Sequence, residues 1–436
     1  MTHTTEAACL LASGAIYGRR ALLVPAAGDP VFAGFKAGAF SLYYGDAPIY
    51  HFDLEGRWQR AFIDGVHYLK GFDSTVQSID RVREGENLVL KRRTLSYAET
   101  SDLDALMRDA ALGLIENLNA GRYETQAPPS KGAPLPTDDL LEFLERVSRW
   151  DAAAWFAHRD TYLGTYGPMP LLPPDCLTAL VLQATLGHRT PKAFGNAPGS
   201  EYYARNPAEF DAHAGVVAGL MGRRAAQCRN VFLAGSDVLS RPPDDVAAYL
   251  GTVSRRFPVR PAAGPRRPDT SGAPHWLDGV HSFLDEFQSH LPDADVLTRW
   301  RALGLTRVTL GVESGDESVR SRFGKAWSNA DLVATVANLK AAGIGVGLIV
   351  LAGAGGASTS AGHVAATTDL VLGLGLSAGD LVSLVDAREL EDGTAGDRPS
   401  NAALAAEVDE FKAGLAPLRA AKVKVAPYSL EKQGSF

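Results

Sequence analysis

The alternation of strand and helix patterns after Gly164 predicts an α/β protein, and two earlier stretches predict what precedes that fold. Residues 21–95 form short runs of alternating apolar and polar residues divided by turn signals, which is the pattern of antiparallel hairpins. Residues 102–119 and 137–154 carry apolar residues at helical spacing. The sequence therefore predicts a partial (β/α)6 barrel of the TIM type that follows a small β-rich N-terminal domain and a helical bridge.

The β-rich domain is predicted over residues 1–100. Its strand patterns, such as residues 40–44 (FSLYY) and 49–52 (IYHF), are rich in the residue types that favour strands. Dipeptides that favour turns, at 45–46 and 64–65, separate these patterns and contain glycine. A run of hairpins is the simplest structure that such a pattern allows.

The helical bridge is predicted over residues 101–163. Ser101 and Thr137 precede the helical patterns and are the predicted N-caps, because a hydroxyl oxygen can accept from a free N–H of the first turn. Residues 166–174 (YGPMPLLPP) interrupt regular structure and mark the entry to the next domain.

The barrel is predicted over residues 164–436, with a C-terminal extension. Six strand patterns are centred near Leu180, Val231, Val280, Val308, Gly347 and Leu381. Helical stretches alternate with them near Asp211, Asp245, Val296, Leu332 and Val364. In folds of this kind the functional residues lie where the parallel strands end, at their carboxyl termini.

Composition narrows the class of partner. The chain has 436 residues, 46% of them hydrophobic and 21% charged, and a net charge of −7, so a nucleic acid partner is not expected. No apolar run approaches the roughly 18 residues that cross a bilayer, and the first residues lack a basic flank, so we expect a cytoplasmic protein with no membrane partner. Cys9, Cys176 and Cys228 lie far apart in sequence and are predicted to be buried small hydrophobic residues.

Two fragments carry a family resemblance. Residues 307–315 (RVTLGVESG) and 343–356 (GIGVGLIVLAGAGG) resemble the barrel of the radical S-adenosylmethionine superfamily, and the resemblance extends over roughly residues 166–390. That superfamily binds a 4Fe-4S cluster through Cys-x3-Cys-x2-Cys after the first barrel strand. In this chain His188, Lys192 and Gly195 stand at those three positions, and Phe194 keeps the aromatic position before the last one.

The resemblance implies a degenerate member of the superfamily that lacks its cluster motif. A cluster needs thiolates on at least three irons, and neither an ammonium group nor a residue without a side chain can replace them. A 4Fe-4S cluster is therefore not expected, and no metal site is predicted from the sequence. Lys192 places a cation where a carboxylate ligand would lie, so S-adenosylmethionine or a related nucleotide remains the expected cofactor.

The resemblance also implies ligand-binding residues in three loops. Gly235, Ser236 and Asp237 follow the second strand, where the family contacts the methionyl amino group. The other cofactor-binding residues implied in this way are Glu313 and Ser314 for the ribose, Lys325 for the carboxylate, and Gly353, Gly355 and Gly356 for the adenine. Alternatively, Glu313 forms a structural ion pair with Arg322 or Lys325, because a buried carboxylate needs a partner.

Three residues are candidates for catalysis: His188, Lys192 and Asp285. A sulfonium is electrophilic by itself, so His188 or Asp285 could act as the base in a methyl or aminocarboxypropyl transfer. Strand alternation places His281 on the same face as Asp285, although histidines at strand ends are more often structural.

The sequence leaves three alternative functions open. The first is a pseudoenzyme or accessory protein that binds S-adenosylmethionine or another small molecule without radical chemistry and supports a catalytic partner protein. The second is an S-adenosylmethionine-dependent enzyme with polar transfer chemistry in the same pocket. The third is a true radical enzyme with atypical cluster ligands, which would include Cys176 and Cys228. Whether the chain is an enzyme at all is left open by these alternatives.

Overall fold

The computed structural model describes residues 18–429 except 27, 37, 86, 128–131, 170, 188–200, 237, 261–275, 285–291, 326 and 390–398. Within these residues the protein is a mixed α/β structure with one large antiparallel sheet and one parallel sheet. The predicted catalytic residues His188, Lys192 and Asp285 lie outside the described residues, as do Asp237, Phe194 and Gly195.

The antiparallel sheet is built mainly from successive hairpins. Its strands are β1 Arg19–Pro25, β2 Val31–Lys36, β3 Ala39–Tyr44, β4 Ile49–Asp53, β5 Trp58–Ile63, β6 Val66–Lys70, β7 Val76–Glu84, β8 Asn87–Thr94, β9 Tyr123–Gln126 and β10 Ala133–Pro134. Strands β1 to β8 pair in chain order, and β1 also pairs with β9 and, in parallel, with β10. The hairpin pattern in the sequence corresponds to this run of consecutive strands.

Three helices follow β8: α1 Tyr97–Asn119, α2 Thr137–Ser148 and α3 Ala152–Thr165. Strands β9 and β10 lie between α1 and α2 in the sequence. Helix α1 begins earlier than its pattern suggests, because Ser96 rather than Ser101 is the N-cap and forms a capping box with Glu99. The N-cap of α2 is Pro136, so Thr137 is the first helical residue and not the cap. The pattern over 137–154 is divided between α2 and α3.

The segment predicted as a bridge packs against the antiparallel sheet. Met107 and Leu114 of α1 and Phe143 of α2 belong to the same hydrophobic core as the inner faces of the strands. Burial of this apolar surface is what stabilises a sheet whose other face meets solvent. Strands β9 and β10 also come from this segment, so its residues extend the sheet as well as covering it.

The parallel sheet has seven strands in the order β11-β14-β15-β16-β17-β18-β19. Its strands are β11 Leu180–Gln183, β14 Val231–Ala234, β15 Val280–Leu284, β16 Leu305–Glu313, β17 Gly345–Ala352, β18 Leu381–Asp386 and β19 Lys424–Tyr428. Between β11 and β14, the short strands β12 Thr185–Leu186 and β13 Tyr203–Ala204 form a separate pair. Six of these strands coincide with predicted positions, whereas β19 was not predicted.

Helices alternate with the parallel strands, as the sequence pattern indicates. They are α4 Pro207–Met221, α5 Pro243–Arg256, α6 Ala294–Ala302, α7 Glu317–Ser321, α8 Asn329–Ala341, α9 Gly356–Gly373 and α10 Asn401–Gly414. Apolar residues of most of these helices and of the sheet form one large core, whereas Val319 of α7 belongs to a smaller cluster with Leu351 and Val385. None of the helices in the described part of the chain is both long and apolar enough to cross a bilayer.

The two sheets are joined by a buried arginine. The Arg57 side chain, 3% exposed, pairs with Asp53 at 2.6 Å and donates to the carbonyl oxygens of Leu220 and Met221 at 2.6 and 2.8 Å. These carbonyls close the last turn of α4, where a cation is favoured by the helix dipole. The antiparallel sheet therefore contacts the first helix of the α/β region directly.

A buried histidine on α4 makes stability depend on pH. Burial lowers the pKa of His213 from 6.5 to about 3, and the charge of Arg205 adds to this effect. His213 Nε2 accepts from the backbone N–H of Gln183 at 3.1 Å, so a proton at Nε2 would oppose another N–H. The unfolded chain takes up this proton near pH 6.5 and the folded chain only near pH 3, so acid favours unfolding between these values.

We therefore expect His213 to contribute a loss of about 2 kcal/mol in the free energy of unfolding between pH 7.5 and pH 5. Denaturant titrations of the wild type at the two pH values, compared with His213→Gln, measure this contribution. His67→Gln is the matched control, because His67 is exposed on β6. An unchanged pH dependence in His213→Gln would contradict the assignment.

Candidate functional site

The parallel strands bring the three predicted loops to one side of the sheet, which we call the carboxyl edge and define by the ends of β14, β16 and β17. Gly235 and Ser236 follow the last residue of β14. Glu313 is the last residue of β16 and Ser314 follows it. Gly353 and Gly355 follow β17. Strand order places these loops in sequence along the edge, with the end of β15 between the first two.

Glu313 and Lys325 form an ion pair at the carboxyl edge. Lys325 Nζ lies 3.4 Å from Glu313 Oε1, and the two residues are 7% and 6% exposed. Arg322, the other predicted partner, instead donates to the carbonyl oxygen of Ala354 at 2.8 Å. Glu313 has a φ of 55°, in the left-handed region that non-glycine residues rarely adopt. The structural alternative for Glu313 is thus what the geometry shows, with Lys325 as the partner.

A buried chain of polar groups lies behind Glu313. Ser314 Oγ is 2.7 Å from His363 Nδ1, and His363 Nε2 is 2.9 Å from the carbonyl oxygen of Leu351 and 3.6 Å from Glu407 Oε1. A proton on Nε2 that is donated to Leu351 leaves Nδ1 to accept from Ser314. Burial lowers the pKa of His363, although the nearby Glu407 carboxylate opposes the shift. The ring is therefore neutral at physiological pH.

These three side chains are of the types found in a hydrolytic triad, but a substrate cannot reach them. Ser314 and His363 are fully buried and Glu407 is 3% exposed. A nucleophile must reach its substrate, so these three residues act in positioning the loop that carries Glu313. We call them the Ser314–His363–Glu407 chain.

The glycines after β17 are engaged within the protein. Glu407 accepts from the Gly353 N–H at 2.6 Å and from Ser360 Oγ at 2.6 Å, while the Gly356 N–H donates to the Gly353 carbonyl oxygen at 3.0 Å. A Cβ on Gly355 would lie 3.0 Å from His363 Cβ. The N–H groups of Gly353 and Gly356 are therefore used by the fold, and a flat ring would meet the backbone surface of this turn rather than these donors.

The turn after β14 is fixed by a close approach of two backbones. A Cβ on Gly235, whose φ is 122°, would lie 2.3 Å from the carbonyl oxygen of Thr185. Thr185 Oγ1 donates to the carbonyl oxygen of Ser236 at 2.6 Å. The glycine is thus required by packing against Thr185 at the start of β12, whatever ligand the turn contacts.

A second group of polar residues lies on the opposite side of the sheet, which we call the amino edge because the parallel strands begin there. A cavity of about 740 Å³ opens at this edge, and its lining includes Asp175, Asn230, His281, Arg307 and Lys424. Of these residues, the sequence pattern singles out only His281 as a candidate for acid–base chemistry. The residues come from five separate positions along the chain, and only the strand order brings them together.

Asp175 is the centre of charge in this cavity. His281 Nδ1 lies 3.2 Å and Arg307 Nη1 2.5 Å from Asp175 Oδ2. Burial alone would raise the pKa of Asp175, but the hydrogen bonds and charges of His281 and Arg307 hold that pKa well below its usual range. Burial and the charge of Asp175 raise the pKa of the neighbouring Cys176 thiol. Cys228, the other described cysteine, is also buried.

No protein-family model and no curated protein matches this chain. Among solved structures, coproporphyrinogen III oxidase (HemN) from Escherichia coli, described as a radical SAM enzyme, is 15% identical with a TM-score of 0.34, over 48% of this chain and 43% of that one. The radical S-adenosylmethionine methyltransferase TsrM from Kitasatospora setae, with tryptophan substrate and a SAM analogue bound, is 17% identical with a TM-score of 0.33, over 50% of this chain and 39% of that one. HydG, a maturase of the FeFe-hydrogenase, is 12% identical with a TM-score of 0.35, over 76% and 72% of the two chains.

This chain therefore spans less than half the length of HemN and TsrM. At these TM-scores the similarity is weak, and no step of the proposed function rests on it.

Proposed function

We propose that this protein binds S-adenosylmethionine, or a related nucleotide, at the carboxyl edge of a partial (β/α) barrel and acts without radical chemistry, as a pseudoenzyme or accessory protein. The observation that carries the proposal is the buried Glu313–Lys325 ion pair at the end of β16, between the turns that follow β14 and β17. The two side chains are paired with each other in the structure, and binding would exchange that contact for contacts with a ligand that itself carries a carboxylate, an ammonium and hydroxyl groups.

The charges of the carboxyl edge fit such a ligand. The Lys325 ammonium can bind a carboxylate, and the Glu313 carboxylate can accept from ribose hydroxyls or from an ammonium group. The backbone strain at Glu313 is of a kind that clusters at ligand-binding sites, where surrounding structure holds the residue in place. The Ser314–His363–Glu407 chain supplies that support from behind.

The residues at the three positions of the cluster motif do not fit a 4Fe-4S cluster. His188, Lys192 and Gly195 offer one imidazole, one ammonium and no side chain, where three thiolates are needed. Without such a cluster no electron donor stands beside the sulfonium. When bound, S-adenosylmethionine would supply an electrophilic carbon next to sulfur, which polar chemistry can use and which the second candidate function, group transfer, would require.

The atypical-cluster alternative receives no support from the described cysteines. One group of at least three His, Cys, Asp or Glu ligand atoms lies close together in the part of the chain that the structure describes, and it contains Cys176 but not Cys228. Such a group describes the ligands of one ion, so the alternative of a cluster with atypical ligands stays a prediction.

Calorimetric titration of the purified protein with S-adenosylmethionine tests the proposal. We expect binding with about one ligand per chain and at least a tenfold loss of affinity, or about 1.4 kcal/mol, in the double variant Glu313→Gln/Lys325→Met. The double variant removes both charges, so neither is left buried alone. Lys412→Met, an exposed ion-pair partner of Asp409 on α10, is the control and should bind as the wild type does.

Absence of binding to the wild type, or equal affinities in the folded double variant, would refute the proposal. Incubation of the same complex followed by assay for S-adenosylhomocysteine and 5'-methylthioadenosine, the products left by methyl and aminocarboxypropyl transfer, distinguishes group transfer from simple binding. Accumulation of either product would favour the enzyme with polar transfer chemistry over the pseudoenzyme.

A further inference from the structure

The amino edge contains a set of three side chains with different donor atoms. Asp175 and Cys176 end a short 3-10 helix, Pro174–Cys176, just before β11, and His281 is the second residue of β15. One ligand atom from each residue lies within 4.8 Å of the others. The separation is 3.4 Å between Cys176 Sγ and His281 Nδ1, 3.2 Å between His281 Nδ1 and Asp175 Oδ2, and 3.9 Å between Cys176 Sγ and Asp175 Oδ1.

These separations match the edges of a tetrahedral metal site. Zinc binds sulfur at about 2.3 Å and nitrogen or oxygen at about 2.0–2.2 Å, so neighbouring ligand atoms around one ion lie roughly 3.3–3.6 Å apart. The observed separations differ from this range by a few tenths of an ångström. One thiolate, one imidazole and one carboxylate are also donors that zinc accepts together.

His281 Nδ1 has three polar neighbours: Asp175 Oδ2 at 3.2 Å, Cys176 Sγ at 3.4 Å and Asn230 Nδ2 at 2.9 Å. A protonated Nδ1 could donate to Asp175, and the Asn230 amide would then donate to the Asp175 carbonyl oxygen and toward Cys176 Sγ. An unprotonated Nδ1 could accept from Asn230 or Cys176, or bind an ion together with Asp175. No single state of the ring hydrogen-bonds to all three neighbours.

Asn230 lies beside the three side chains. The residue is 2% exposed, and its side-chain oxygen is buried without a hydrogen-bond partner among the described residues. Its amide nitrogen faces His281 Nδ1 at 2.9 Å and is held by the carbonyl oxygen of Asp175 at 3.2 Å. A buried acceptor that the fold leaves unsatisfied is costly, so a donor such as a water molecule is expected beside this oxygen.

The cavity of the amino edge gives an ion a route in and an open position. Asp175, Asn230 and His281 line it, whereas Cys176 is fully buried behind them. Three protein ligands with a fourth position facing a cavity is the arrangement of catalytic rather than structural zinc. Arg307 bonds Asp175 Oδ2 at 2.5 Å and so holds the carboxylate in place, in the way that outer partners orient a ligating carboxylate.

We propose that Asp175, Cys176 and His281 bind a divalent transition-metal ion of the zinc type at the amino edge, with its open position in the cavity. The site is separate from the carboxyl edge and does not depend on S-adenosylmethionine binding. The Asp175 carboxylate and the Cys176 thiolate together balance the two positive charges of the ion. The thiol proton is released to solvent on binding, and Arg307 adds one positive charge outside the ligands.

The full-length protein, stripped with a chelator, tests the proposal by titration with Zn²⁺ against a chromophoric competitor and separately with Co²⁺. We expect one ion per chain and, with Co²⁺, a thiolate-to-metal charge-transfer band in the near ultraviolet. Cys176→Ser should remove that band, and both Cys176→Ser and His281→Gln should weaken Zn²⁺ binding at least tenfold. Cys228→Ser, a buried cysteine outside the group, is the matched control and should keep both.

Arg307→Gln separates a cation site from an anion site. The change removes a positive charge beside the site and also the partner that orients Asp175, so Zn²⁺ should still bind, whereas a site that binds anions would lose its ligand. Failure of the wild type to take up metal, a cobalt complex without the thiolate band, or full binding by folded Cys176→Ser would each overturn the proposal. So would binding of inorganic phosphate that Arg307→Gln abolishes while Zn²⁺ is not bound, because that result would identify an anion site.

Discussion

Replacing Glu407 with alanine is expected to lower the free energy of unfolding by about 3 kcal/mol, because the change leaves the buried Gly353 N–H and the half-buried Ser360 hydroxyl without their acceptor. Glu407 accepts from the Gly353 N–H and from Ser360 Oγ, and its carboxylate faces His363. Each donor left unsatisfied costs about 1–3 kcal/mol, and the cavity left by the side chain adds to the loss. Denaturant unfolding at neutral pH measures the difference.

Two variants of the same helix make this prediction specific. Glu407→Gln keeps the size and one acceptor, so its loss should lie between that of alanine and the wild type. Glu410→Ala changes an exposed glutamate one turn away and should alter stability by less than about 0.5 kcal/mol. Equal effects of Glu407→Ala and Glu410→Ala would show that the Ser314–His363–Glu407 chain does not stabilise the carboxyl edge.

The second large effect is expected at Gly315, which follows Ser314 in the sequence. A Cβ on Gly315 would lie 2.4 Å from the carbonyl oxygen of Ala366 and 2.5 Å from Thr367 Cα, both backbone atoms of α9. Backbone atoms of a packed helix cannot move away cheaply, so Gly315→Ala should cost about 3 kcal/mol, at the upper end of the overpacking range. It should also weaken ligand binding at Glu313, because the loop must shift to relieve the contact.

Gly362→Ala is the matched control for Gly315→Ala. Gly362 lies within α9, is exposed, and has open space where a Cβ would be added. Alanine is favoured over glycine in a helix interior by about 1 kcal/mol, so this variant should be slightly more stable than the wild type. A Gly315→Ala protein with wild-type stability would contradict the packing described for the loop.

The order of strands and helices could be predicted because it depends on patterns of residues that are close together in the sequence. Hairpin dipeptides and apolar runs predict β1 to β8 and six of the parallel strands. Strand β19 was missed because its sequence, KVAPY, contains a proline that argues against a strand. It is tolerated because β19 is an edge strand and pairs only with β18.

The carboxyl edge could be predicted only in part. Loops that follow parallel strands must meet at one edge, so the placement of Gly235, Glu313 and Gly353 follows from topology. The roles of His363 and Glu407 could not be seen, since nothing local relates them to Ser314. Their contacts arise from the packing of α9 and α10 beside β17.

The sequence singles out His281 and Cys176 separately but gives no sign that they meet at the amino edge. Cys176 and His281 are 105 positions apart, and their distance is set by the register of β11, β14 and β15. Spacing rules for metal ligands apply to residues near one another in sequence, so they cannot find such a group. The structure therefore adds a candidate metal site where the sequence predicted none.

The assay for 5'-deoxyadenosine most directly tests the central claim that this protein holds a sulfonium nucleotide without cleaving it reductively. Purified protein is treated anaerobically with iron and sulfide and then incubated with S-adenosylmethionine and dithionite. We expect no 5'-deoxyadenosine above a protein-free control, from protein that binds S-adenosylmethionine in calorimetry. Release of 5'-deoxyadenosine by the reconstituted protein would contradict the account and restore a radical enzyme with unusual cluster ligands.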